Sequence, residues 1–184
     1  ATQVPAKKTY LLEGAPHYYF DAAGESGDLG QKLKVAVMID FQNKGNDLGI
    51  PLPKGVIRVY KKDSQGNAQF VGEDRLDHTP KNETVRLKLG NAFDVTANKK
   101  QTAFQRLANS GRYTINTESA YEIVLSNAKP EAVVVSVREP MPGDWTIVSE
   151  SQPHTKRAAG IAEWQVRVPA EGKAILTYRA RIKQ

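Results

Sequence analysis

Tyr121-Glu122-Ile123-Val124-Leu125, Val133-Val134-Val135-Ser136-Val137, Trp164-Gln165-Val166-Arg167-Val168 and Leu176-Thr177-Tyr178-Arg179-Ala180-Arg181-Ile182 decide the fold class. Each run repeats apolar side chains at every second residue, and most of the intervening positions are polar or small. That two-residue period suits a strand with one face in a core and the other in water. Turn-forming clusters separate the runs: Asn127-Ala128-Lys129-Pro130, Pro142-Gly143-Asp144 and Pro169-Ala170-Glu171-Gly172. Short strands at this spacing argue for an antiparallel sandwich or barrel, and the expectation is an all-β, antiparallel β-sandwich architecture.

Upstream, Leu33, Val35, Val37, Ile39 and Phe41 alternate cleanly and make Lys32 to Gln42 the first long strand. Tyr10-Leu11-Leu12 and Tyr18-Tyr19-Phe20 are short strand candidates, the second a candidate inter-domain contact. The glycine-rich run from Asp21 to Gly30 reads as loop. Gly55 to Lys61 and Ala68 to Asp74 form a hairpin around Asp63-Ser64-Gln65-Gly66-Asn67, in which Gly66 supplies a positive φ. Thr84 to Leu89 is a further strand. Gln101 to Leu107 and Arg112 to Thr117 form another pair about Asn109-Ser110-Gly111. No stretch keeps a helical period over three turns. The strand count predicts two packed immunoglobulin-like modules, a first β-sandwich over residues 1–116 and a second over 117–184.

The chain has 184 residues, of which 40% are hydrophobic and 25% charged, enough to bury a core beneath an ordinary soluble surface. Lys and Arg number 26 against 20 Asp and Glu, a formal net charge of +6. That excess favours acidic partners, but its residues are interleaved with acids: Asp63 follows Lys61-Lys62, and Arg75 lies between Asp74 and Asp77. There is no cysteine, which excludes a disulfide framework, a thiolate metal site and a cysteine nucleophile. No apolar run approaches the ~18 residues of a spanning helix, and there is no signal-peptide core. The opening Ala1-Thr2-Gln3-Val4-Pro5 reads as the start of a processed chain or of a segment of a longer protein, and processing would imply export.

The densest polar cluster is Glu73-Asp74-Arg75-Leu76-Asp77-His78-Thr79-Pro80. Glu73, Asp77 and His78 are of the right types for a divalent metal or a general base. On a strand, however, Glu73, Arg75 and Asp77 share one face while Asp74 and His78 point the other way. A solvent-facing or cross-strand charge ladder therefore fits better. His17, His78 and His154 are too widely spaced to form a histidine pair on one element. The Asp63–Asn67 segment lacks the repeated acids of a calcium loop. No Gly-x-Ser-x-Gly elbow and no phosphate loop occur.

Glu139-Pro140-Met141-Pro142-Gly143-Asp144-Trp145 builds a rigid loop leading into a strand. Trp145 could present its indole to a sugar or a partner, although a tryptophan there more often plugs the end of a sandwich. The surface-site candidates are thus Glu73, Arg75, Asp77, His78 and Trp145, with no catalytic residue, metal ligand or cofactor assigned.

Leu52-Pro53-Lys54-Gly55-Val56-Ile57-Arg58-Val59-Tyr60, Val71 to Pro80, and Val85-Arg86-Leu87-Lys88-Leu89-Gly90-Asn91-Ala92-Phe93-Asp94-Val95 together resemble a bacterial family. It is the uncharacterised β-rich C-terminal domain of mucoidy-inhibitor-like exported proteins. Tyr121-Glu122-Ile123 with Asn127, and Glu139 to Trp145, fit its second half, so the resemblance runs from about Leu48 onward. It implies a domain of the cell envelope, exported to the periplasm or beyond, with no established reaction or cofactor and no functional residue to carry over.

The expectation is an extracytoplasmic binding or structural module with a protein or envelope-polymer partner, no nucleic acid and no membrane-spanning segment. Two alternatives differ in chemistry. One is a hydrolase of cell-wall or extracellular polymer, requiring two carboxylates that meet in space. The other is a polyanion or glycan binder, recognised by steep loss of binding with salt.

Overall fold

A computed structural model describes residues 5–15, 19, 28–45, 48–108 and 111–184. The described residues form eleven strands: β1 (Ala6–Glu13), β2 (Asp28–Gln42), β3 (Gly55–Lys62), β4 (Ala68–Leu76), β5 (Thr84–Arg106), β6 (Asn116–Asn127), β7 (Val133–Pro140), β8 (Asp144–Glu150), β9 (Thr155–Ala158), β10 (Ile161–Val168) and β11 (Gly172–Lys183). The expected all-β sandwich class holds. One nine-stranded sheet has the order β8-β11-β6-β5-β2-β1-β7-β10-β9, and β3 and β4 form a separate antiparallel ribbon.

The chain divides into two compact units, each discontinuous in sequence. The first comprises residues 1–10 and 36–91, the second residues 11–35 and 92–184. β1, β2 and β5 each contribute to both.

In the second unit, the alternation that defined the runs is the burial pattern. Tyr121, Ile123 and Leu125 of β6, Val133, Val135 and Val137 of β7, Trp164, Val166 and Val168 of β10, and Leu176, Tyr178, Ala180 and Ile182 of β11 are all buried. β11 pairs antiparallel with β6 from Gly172↔Asn127 to Lys183↔Asn116, and β10 with β7 from Ile161↔Pro140 to Val168↔Val133. A one-residue slip in either ladder would turn its apolar set into water, so the register is strongly determined. The two ladders meet face to face: the Trp164 ring stacks on Tyr178 with centroids 4.7 Å apart, and Tyr178 stacks on Tyr121 at 5.1 Å. Asn127 closes one end of the unit by donating to the Glu131 and Pro169 carbonyls and accepting from the Lys129 amide.

Several readings differ from expectation, and the first is that Asp28 to Gly30, expected as the end of a loop, opens β2. Thr84–Leu89 and Gln101–Leu107 were read as separate strands, yet most of both lies in the single 23-residue β5. Alternation lapses between them at Gly90-Asn91, where Gly90 takes a φ of 134° and the strand continues. It is further masked by Lys99, a charged residue on the buried face. Arg112–Thr117 is strand only from Asn116 onward. Of Tyr18-Tyr19-Phe20, Tyr19 is buried in the second unit outside any strand, and the other two lie outside the described residues, as does His17. No helix among the described residues is long and apolar enough to cross a membrane.

Candidate functional site

The β3–β4 ribbon belongs to the first unit, and its turn is built as the sequence requires. Asp63 Oδ1 accepts the amides of Gln65 and Asn67 at 2.9 and 2.8 Å, and the Asp63 amide donates to the Asn67 carbonyl. The Asn67 amide, ahead of the other turn donors, outweighs desolvation and holds the Asp63 carboxyl below its usual range. Gly66 takes the positive φ of 86° that closes the turn.

Register then sorts the side chains. Val56 faces Arg75, Arg58 faces Glu73, and Tyr60 faces Phe70 across the ribbon. Phe70 lies three positions before Glu73, and strict alternation would send the two to opposite faces. A bulge between Val59 and Tyr60 leaves Val71 as an extra residue and restores Phe70 to the side of Glu73.

The solvent side of the ribbon therefore carries an aromatic pair framed by cations. Tyr60 and Phe70 meet edge to face at 5.7 Å and remain 54% and 58% exposed. Val56 and Val71 are exposed beside them, as are Arg58, Lys62 and Arg75. Arg58 Nε donates to Glu73 Oε2 at 3.0 Å, which raises the guanidinium pKa further. The opposite side is anchored within the same unit. Gly72 passes so close to Leu89 of β5 that a Cβ there would stand 2.4 Å from the Leu89 carbonyl oxygen. Asp74 Oδ2 accepts the Lys88 amide at 2.7 Å.

Of the residues singled out from sequence, Glu73 and Arg75 sit on this solvent face. Glu73 makes the cross-strand pair with Arg58, in keeping with the charge-ladder assignment. Asp77 follows the end of β4 and caps the His78 amide through Oδ1 at 2.9 Å. No group of three or more histidines and carboxylates among the described residues could hold a metal. Trp145 is 7% exposed and its Nε1 donates to the Ala159 carbonyl at 2.8 Å, so it plugs the sandwich rather than offering a platform. Tyr60 and Phe70 were not singled out. The bulge that brings Phe70 outward leaves no composition signal, although two aromatics flanking a predicted hairpin turn were visible.

The second unit has its own polar features. A cleft of about 280 Å³ is lined by Thr102, Tyr121, Glu150, Ser151, Tyr178 and Arg179, among others. It lies beside two bulges, at Gln101/Ala103 of β5 and Arg179/Ala180 of β11. Glu150 is its single carboxylate. Oε2 of Glu150 accepts Trp164 Nε1 at 2.8 Å and lies 2.9 Å from His154 Nδ1, so this group already braces the core.

Two further carboxylates are clamped by arginine. Glu118 accepts from Arg179 and Arg181, and Glu163 accepts from Arg138 and Arg157. The Arg181 bond leads in holding Glu118 below the usual carboxyl range. At Glu163, burial pushes upward, but the two guanidinium bonds prevail and hold it down as well.

Comparison of the chain with family models, curated proteins and solved structures found no match.

Proposed function

We propose that this chain is a non-catalytic binding module of the bacterial cell envelope, acting outside the cytoplasm, and that the solvent face of β3–β4 is its binding surface. The observation that carries this is the exposed Tyr60–Phe70 pair set among Arg58, Lys62 and Arg75. Exposed aromatics contribute little to folding, and a rigid ribbon that holds two of them in water suits recognition. Aromatic faces stack on sugar rings, while three cations against the one carboxylate of Glu73 favour an acidic ligand. The ligand class that combines both is an acidic polysaccharide. The resemblance to the β-rich domain of mucoidy-inhibitor-like exported proteins supports the envelope location. The hydrolase alternative draws no support from the cleft in the second unit, which holds one carboxylate where glycoside hydrolysis uses two.

Calorimetric titration with a polyuronate, with a neutral glucan of matched length and with a single-stranded oligonucleotide tests this function. Binding of the polyuronate alone is expected, weakening as salt rises. Tyr60→Ala should cost more than about 1 kcal/mol of affinity, roughly fivefold, as an anchor residue does. Its effect on stability should stay within about 0.5 kcal/mol. Equal binding of the neutral glucan, preference for the oligonucleotide, or indifference to Tyr60→Ala would each overturn the assignment.

A further inference from the structure

Inside the second unit, Lys99 of β5 meets Glu139 of β7, two strands separated by β2 and β1 in the sheet order. Nζ stands 2.8 Å from Oε2, and each side chain is 1% exposed. Three tyrosine rings surround the amine, with centroids at 4.8 Å (Tyr121), 5.3 Å (Tyr19) and 5.9 Å (Tyr178). Tyr19 OH donates to the same Oε2 at 2.8 Å and lies 2.7 Å from Tyr178 OH. The backbone closes the remaining side: a Cβ on Gly14 would overlap the Glu139 carboxylate. Oε1 of Glu139 accepts no hydrogen bond among the described residues.

Such a site is a costly place to keep two charges. Burial outweighs the attraction of Glu139 and lowers the Lys99 pKa, which favours the neutral amine. Burial and Glu139 also raise Tyr19 well above its ordinary value, so its hydroxyl stays protonated and able to donate. Passing one proton from the ammonium to the carboxylate leaves an amine and a carboxylic acid in contact, shielded from bulk water.

The geometry points to Lys99 and Glu139 as the two partners of an intramolecular isopeptide bond that the folded protein forms unaided. The Nζ lone pair adds to Cδ of the protonated Glu139 carboxyl, making the C–N bond. Tyr19 delivers a proton to the departing Oε2 and is reprotonated by the nitrogen, directly or through Tyr178. The C–Oε2 bond breaks and one water molecule leaves, so an ammonium and a carboxylate become an amide plus water with no oxidant, nucleotide or other reactant. Fixing the groups together supplies an effective concentration that reaches about 10⁵–10⁸ M in well-oriented systems. Exclusion of water opposes the reverse hydrolysis. The product is a neutral covalent tie between β5 and β7 in a chain that has no cysteine with which to make a disulfide.

Intact-mass spectrometry of the purified folded protein, denatured just before measurement, decides the matter. The expected mass lies below that of the sequence by one water molecule. Fragmentation should find the peptides of Lys99 and Glu139 joined, with no tryptic cleavage after Lys99. Lys99→Arg, which keeps a cation but offers no amine for this bond, should restore the full sequence mass. A wild-type chain of full mass, or a water loss located at any other pair, would overturn the proposal.

Discussion

Alanine substitution at two glycines of one ribbon should change stability in opposite directions. Gly55 opens β3 with nothing within 4 Å of the position a Cβ would take. Gly55→Ala therefore adds no contact cost and removes freedom from the unfolded chain, stabilising by about 0.4–1 kcal/mol. Gly72 gains the same entropic benefit, but its Cβ would stand 2.4 Å from the Leu89 carbonyl oxygen and 3.1 Å from the Leu89 Cα and carbonyl carbon. These are backbone atoms of a strand held by its own ladder, so no side-chain rotation relieves the overlap. The ribbon must lift, at an overpacking cost of about 1–3 kcal/mol. Subtracting the middle of the entropic range, about 0.7 kcal/mol, from the middle of the overpacking range, about 2 kcal/mol, leaves a net loss of about 1.3 kcal/mol. For a transition of a unit of this size, in the roughly 60–100-residue class, each kcal/mol moves the midpoint by about 4–8 °C. Differential scanning calorimetry should therefore show Gly72→Ala melting about 5–10 °C early in the transition of the first unit, and Gly55→Ala at or above wild type. The two units need not melt together, so the transitions must be resolved separately. If Gly72→Ala matched Gly55→Ala, the close approach of β4 to β5 would be refuted, and with it the anchoring of the candidate binding face.

Trp164→Ala should destabilise the second unit by about 3–5 kcal/mol, because it empties a fully buried site stacked on Tyr178 and removes a donor from Glu150; urea denaturation measures this. Glu118 and Glu163 have carboxyl pKa values lower in the folded protein than in the unfolded chain, so the stability they contribute is present above the unfolded value near 4.5 and is lost as pH falls through the lower folded values. Glu118→Gln should accordingly lower stability at neutral pH and flatten its fall as the pH drops below about 4.5, read from midpoints across a pH series. Arg75→Glu should weaken polyuronate binding and reduce its salt dependence while leaving the melting point of the first unit within about 4 °C of wild type, since Arg75 is exposed.

Local periodicity was enough to read the sandwich of the second unit, because each side chain in β6, β7, β10 and β11 reports its own burial through a period of two. The paired face of the ribbon was less accessible. Glu73 and Arg75 could be placed on one side by counting along β4, and both are there. The same count sends Phe70 to the wrong side, because the inserted Val71 shifts the phase only when β4 is laid against β3. Pairing across a ladder depends on two strands at once, and alternation within either one carries no trace of it. The buried pair is more extreme. Lys99 lies in the polar run Asn98-Lys99-Lys100-Gln101, and Glu139 lies ahead of a proline loop, where charged residues ordinarily face water. Their chemistry is set by the company of Tyr19, Tyr121 and Tyr178, drawn from three distant parts of the chain. A charged residue at a position whose parity matches buried neighbours, as Lys99 matches Val95 and Ala97, is the one sequence signal that could have exposed it. A cation held in phase with a core needs a buried partner to offset its desolvation, and the acid 2.8 Å away is that partner.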